Sequence, residues 1–160
     1  MQCLADGEVA LERSFKDAFP SAVFTNDFCH ACEHANALVK ALGLEAEDAS
    51  REFRFIRGLL YRLGAESLIR RVENRYAELL EKSETARSEL GYFIKRKENM
   101  RYGRLRKEGY YIGTGHVEAA ARVLVIRRCK QAGMRWRHQN AIHMSAIHAQ
   151  YRSNRQNYAG

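Results

Sequence analysis

The residues best suited to chemistry fall into three groups. Cys29-His30-Ala31-Cys32-Glu33-His34 sets two thiols and two imidazoles within a short span, and its C-x-x-C spacing is one that zinc accepts. A closed tetrahedral site draws further ligands from elsewhere in the chain, for which Cys129 and His116 are the remote candidates. A helical zinc protein using Cys29, Cys32 and His34 is one reading; small buried thiols at the start of a helix are the other. His138, His143 and His148 recur at five-residue steps, which wind around a helix and form no row of ligands. The last group is carboxylate. Asp6 ends a short apolar run, and Glu118 follows the flexible Gly113-Thr114-Gly115 in the most basic part of the chain. Glu118 is therefore a functional candidate, although a first-turn glutamate also simply complements the helix dipole.

The elements that must position these groups can be read from punctuation and periodicity. Gln2–Ala5 is a short apolar run stopped by Asp6-Gly7 and predicts a buried strand. Val9, Leu11, Phe15, Ala18 and Phe19 recur at helical spacing until Pro20 closes the segment. Ala22–Thr25 predicts a second strand that delivers Asp27 at its end. Strand, helix, strand is a βαβ unit, which forms a parallel sheet with its chemistry at the carboxyl ends of the strands.

From Ala31 to about Glu98 apolar residues stand three and four apart, predicting helix after helix, with Gly43, Gly64 and Gly91 as breakers and Ser83 as a cap. The stretch from Lys95 to Lys107 is so basic and so poor in apolar residues that it reads as a mobile or DNA-facing connection. A final helix pair is expected over Val117–Gln131, with Gly133 at its C-cap, and over Asn140–Arg152. The fold class is α/β, mostly α.

Composition narrows the function. A chain of 160 residues with 46% apolar residues is one domain or a piece of one, and a single Pro with eleven Gly favours helices. Four irregularly spaced Cys suit a reducing cytoplasm, and neither a signal peptide nor a membrane-spanning run is visible. The net charge of +8 is uneven: residues 1–50 carry three basic and nine acidic side chains, and residues 91–160 carry fifteen and three. With Tyr92, Phe93, Tyr102, Tyr110, Tyr111 and Trp136 among those cations, nucleic acid is the natural partner, and a solvated face that keeps the protein soluble is the plain alternative.

Taken in order, Leu4-Ala5-Asp6-Gly7, Phe19-Pro20 with Ala22-Val23, Asp27 through His34, Ile112-Gly113-Thr114-Gly115-His116-Val117-Glu118-Ala119-Ala120 and Gly133-Met134-Arg135-Trp136 resemble the C-terminal half of bacterial insertion-sequence DDE transposases. The likeness is to the Kra-type family of the mutator-like group and covers nearly the whole chain. It implies a partial RNase H-like fold: residues 1–30 as the βαβ part of the core, 31–98 as an all-helical insertion, and 99–160 as the C-terminal part with basic helices. On this likeness Asp6 and Glu118 are the second and third catalytic acids and hold Mg²⁺ or Mn²⁺. Asp27 with His30 is similar to the C/D-x-x-H signature between them, in a supporting role. Arg122, Lys130, Arg135 and Trp136 would contact DNA at insertion-sequence ends, with Trp136 alternatively a plug between the last helices. The first acid of the family would lie upstream of Asp6, so the expectation is a fragment that cannot catalyse strand transfer alone. Self-association or association with a full-length transposase is implied, as is the alternative of a DNA-binding helical protein that regulates or inhibits that enzyme.

Overall fold

The short apolar runs at the start of the chain form the sheet. β1 (Gln2–Ala5) and β2 (Val23–Asn26) pair in parallel from Gln2↔Val23 to Ala5↔Asn26, joined by α1 (Val9–Ala18). β2 starts one residue later than the sequence predicts and takes in Asn26. Cys3 and Ala5 are buried on one face, where Phe24 meets Phe15 of α1 edge to face with centroids 6.4 Å apart. The computed structural model describes residues 1–7, 9–115, 119, 122 and 135–156. The chain divides into two compact units between Thr114 and Gly115.

The predicted helical run is α2 (Phe28–Ala41), α3 (Ala46–Arg62), α4 (Ala65–Lys82) and α5 (Glu84–Arg96), followed by a 3-10 turn (Lys97–Met100) and α6 (Tyr102–Lys107). Their apolar stripes converge on one core of Leu38, Ile56, Leu60, Leu68, Val72 and Phe93, to which Val23 of β2 adds. Each such side chain stabilises the fold by about 1.5–3 kcal/mol through burial. Gly43 ends α2 with φ 69°, and the Ser83 hydroxyl accepts from Ala86 N at 3.2 Å to start α5, as their sequence positions predict.

Two expectations need correction. Gly91 breaks nothing: it lies inside α5. The segment from Lys95 to Lys107 is not a loose connection, because Met100 and Tyr102 are fully buried and Leu105 nearly so. Its charges point outward while three apolar residues reach the core through a close backbone crossing. A Cβ at Gly64 would lie 2.5 Å from the Met100 carbonyl oxygen, and one at Gly103 would run into the Arg62 carbonyl.

One acid is buried in the helical layer. Glu52 on α3 is 6% exposed and accepts from Arg71 Nε at 2.6 Å and Nη2 at 2.8 Å, a bidentate pair. Burial pushes its carboxyl up, but the hydrogen bonds and charge of Arg71 prevail and hold it below its ordinary value of 4.5. Removing one partner of a buried pair costs about 3–5 kcal/mol; since the Arg71 side chain is 25% exposed, Arg71→Ala is expected to cost about 2 kcal/mol. A carboxyl depressed in the folded state stabilises above its unfolded pKa and loses that contribution as pH falls through the folded value. The gap between wild type and Arg71→Ala in urea unfolding should therefore be wide at about pH 7 and shrink at about pH 3. A gap of equal size at both would contradict the pairing.

In the second unit the described helix is α7 (His138–Gln156), longer at both ends than the predicted Asn140–Arg152. The predicted helix over Val117–Gln131 and its C-cap Gly133 lie largely outside the described residues. Among the described residues no helix is long and apolar enough to cross a membrane.

Candidate functional site

Parallel strands end at the same edge, and here each is followed closely by an aspartate, Asp6 after β1 and Asp27 after β2. Asp6 is exposed and leads into a turn at Gly7, where φ is 101°. A Cβ at Gly7 would stand 2.7 Å from Asn26 Nδ2 and 3.0 Å from Arg96 Nε. Helix α5 holds this turn: Arg96 Nη2 donates to the Gly7 carbonyl at 2.9 Å, and the Tyr92 hydroxyl approaches the Asp6 carbonyl at 3.5 Å. The Arg96 guanidinium also lies 4.7 Å from the Tyr92 ring centroid. Burial pushes the Tyr92 hydroxyl up to about 12; Arg96 opposes this, while Asp6, Asp27 and Glu89 add to it.

Asp27 does different work. It is 4% exposed, its Oδ1 accepts from His30 N at 2.8 Å, and its Oδ2 accepts from Thr114 N at 2.6 Å. The D-x-x-H spacing is thus that of an N-cap aspartate and the amide three residues on, which the first turn of a helix leaves without an intrahelical partner. The second bond ties the stretch before Gly115 to the strand ends. Further ties support it: Phe28 N donates to the Ile112 carbonyl at 2.8 Å, Gln2 Nε2 donates to the Tyr111 carbonyl at 2.6 Å, and Gln2 Oε1 accepts from Tyr111 N at 3.1 Å. With both carboxylate oxygens already accepting backbone amides, Asp27 is a positioning residue.

The histidines form a ring cluster beside this edge. His34 stacks on Tyr92 with centroids 3.7 Å apart, and its Nδ1 lies 2.7 Å from Glu89 Oε2. His30 meets His34 edge to face at 4.8 Å, and its Nδ1 lies 3.1 Å from Glu33 Oε2. Cys29 is exposed and Cys32 half-buried, with burial pushing the Cys32 thiol up to about 11 against the pull of Arg57. Among the described residues no three His, Cys, Asp or Glu side chains gather as a metal site.

The remaining predicted site residues belong to the second unit. Glu118 and Lys130, with the remote zinc candidates His116 and Cys129, lie outside the described residues. Arg122 is exposed. Trp136 is 37% exposed and lines an open cleft of about 460 Å³ together with Arg135, Arg137 and Asn140. Sequence reasoning missed the α3 face of Arg54, Arg57, Gly58 and Tyr61, which borders a second cleft with Phe28. Its i, i+3, i+4, i+7 spacing is a readable signal, overshadowed by the apolar stripe that runs along the same helix.

No family model, curated protein or solved structure matches this chain. The class defined by the fold is a mostly helical α/β protein, with one parallel strand pair among the described residues.

Proposed function

We propose that this chain is part of the catalytic region of a DDE transposase with an RNase H-like core, binding DNA and using Asp6 and Glu118 to hold Mg²⁺ or Mn²⁺. The observation that carries the reading is the edge at the strand ends: an exposed Asp6 on a turn fixed by α5, beside an Asp27 whose second oxygen draws in Thr114, which stands four residues before Glu118 in the sequence. A hard divalent cation is satisfied by one or two carboxylates together with water and phosphate oxygens, so the exposed Asp6 fits as a ligand, while the buried Asp27, with each oxygen engaged by a backbone amide, serves to position the chain around it. When bound, such a cation would activate the attacking oxygen of phosphodiester cleavage and stabilise the leaving one. The protein's own part is to orient Asp6, to keep Tyr92 protonated beside it and to neutralise phosphates with its basic surface.

Mn²⁺ binding measured by electron paramagnetic resonance tests the assignment. Asp6→Asn and Glu118→Gln are each expected to weaken it roughly tenfold or more, as removal of one of two charged ligands should. Unchanged binding in both variants would remove the metal role. The alternative is a DNA-binding helical protein that regulates or inhibits a full-length transposase through its basic surface, with no need of a bound cation. It is supported if Mn²⁺ does not bind while duplex DNA does, with a log affinity that falls by about 0.9 per neutralised phosphate for each unit of log salt.

A further inference from the structure

The cleft on α3 lies apart from Asp6 and has chemistry of its own. Arg54, Arg57, Gly58 and Tyr61 share one face of the helix, and Phe28 closes the far side, bounding about 480 Å³. That volume is in the range of small-ligand sites, roughly 300–1,000 Å³. Gly58 lines the cleft between Arg54 and Tyr61 without a side chain of its own, where an added Cβ would meet only Arg62 Nη2 at 3.4 Å, in a helix interior where glycine is about 1 kcal/mol less favourable than alanine. Tyr61 is 40% exposed and lies edge to face with Phe28 at 5.6 Å. It is steadied from another side by the Arg106 guanidinium, 3.7 Å from its ring centroid. Arg51 pairs with Asp48 and Arg71 with Glu52, whereas among the described residues neither Arg54 nor Arg57 pairs with a carboxylate, and Arg57 interacts only with the Cys32 thiol. Two cations without carboxylate partners suit an anion, and the two aromatic rings suit a flat group attached to it.

We propose that this cleft binds a nucleoside phosphate, with the base against Tyr61 and Phe28 and the phosphate on Arg54 and Arg57. Guanidinium forks match phosphate oxygens, and base stacking on aromatic side chains tolerates any base. The assignment holds whether or not Asp6 and Glu118 bind a cation, so the two proposals fail separately.

Isothermal titration calorimetry of the full chain tests it, using deoxyadenosine 5′-monophosphate, inorganic phosphate, deoxyadenosine and a short 5′-phosphorylated single-stranded oligodeoxynucleotide. The nucleotide should bind roughly tenfold or more tightly than phosphate or nucleoside alone, because only it engages both halves of the cleft. Arg54→Gln should bring it down toward the nucleoside. Gly58→Leu retains every charge and suits a helix, yet it should weaken the nucleotide by a similar factor by filling the opening. Oligonucleotide binding stronger than that of the free nucleotide identifies a DNA strand as the source; equal or weaker binding identifies the free nucleotide. The proposal is overturned if phosphate alone binds as well as the nucleotide, or if folded Gly58→Leu, checked by circular dichroism, binds it unchanged.

Discussion

Asp27→Asn is expected to lower stability by about 2–4 kcal/mol, although the substitution preserves shape. Asparagine offers one acceptor and one NH₂, whereas the buried carboxylate meets two backbone donors, His30 N at 2.8 Å and Thr114 N at 2.6 Å. Whichever way the amide turns, a donor faces a donor. Loss of the cap alone costs about 1 kcal/mol, and a buried amide left without its charged acceptor adds about 1–3 kcal/mol. For a chain of this length the melting temperature should fall by roughly 10 °C. Amide hydrogen exchange then separates the bonds: Thr114 should lose protection if the strap detaches, and His30 if the cap does. An unchanged melting temperature with both amides still protected would show that the clamp contributes nothing.

Gly103→Ala should be at least as damaging, at about 3 kcal/mol or more. A Cβ there would run into the Arg62 carbonyl oxygen and lie 2.8 Å from its carbon, and both are backbone atoms that no side-chain rotation can move. The matched control is Gly91→Ala, where nothing lies within 4 Å of the added carbon. In the middle of α5 that change should stabilise by about 0.5–1 kcal/mol, the ordinary helical advantage of alanine. Chemical denaturation of the two variants reads opposite signs. If Gly103→Ala were neutral, the close crossing of α6 over the end of α3 would be wrong.

These two glycines also mark the limit of what the sequence discloses. Neither has a local signature that separates it from the other, because the difference lies in what backbone passes nearby. The same holds from Lys95 to Lys107, where local charge hid three residues that tertiary packing buries, Met100, Tyr102 and Leu105. Signals acting over a few residues were legible: the Asp6-Gly7 stop after β1, the Ser83 cap and the Gly43 terminator. Asp27 with His30 was legible as a spaced pair because a cap is a three-residue relation, but its bond to Thr114 spans 87 positions and leaves no periodic trace. The acid of Asp6 could be picked out because strand ends are predictable places for chemistry. Of the Arg57 cleft, the α3 face left a readable spacing, but the far wall did not, because Phe28 comes from another helix.

The Gln2 amide bonds both the backbone N–H and the carbonyl of Tyr111, across 109 positions of chain. During synthesis β1 therefore has to wait: among the described residues it pairs with β2 alone, a marginal sheet, and the segment that latches it is among the last of the unit to leave the ribosome. Such a unit closes its ring of contacts in one late event. Protease nicking near Tyr111 should thus loosen the beginning of the chain as readily as the cut site itself.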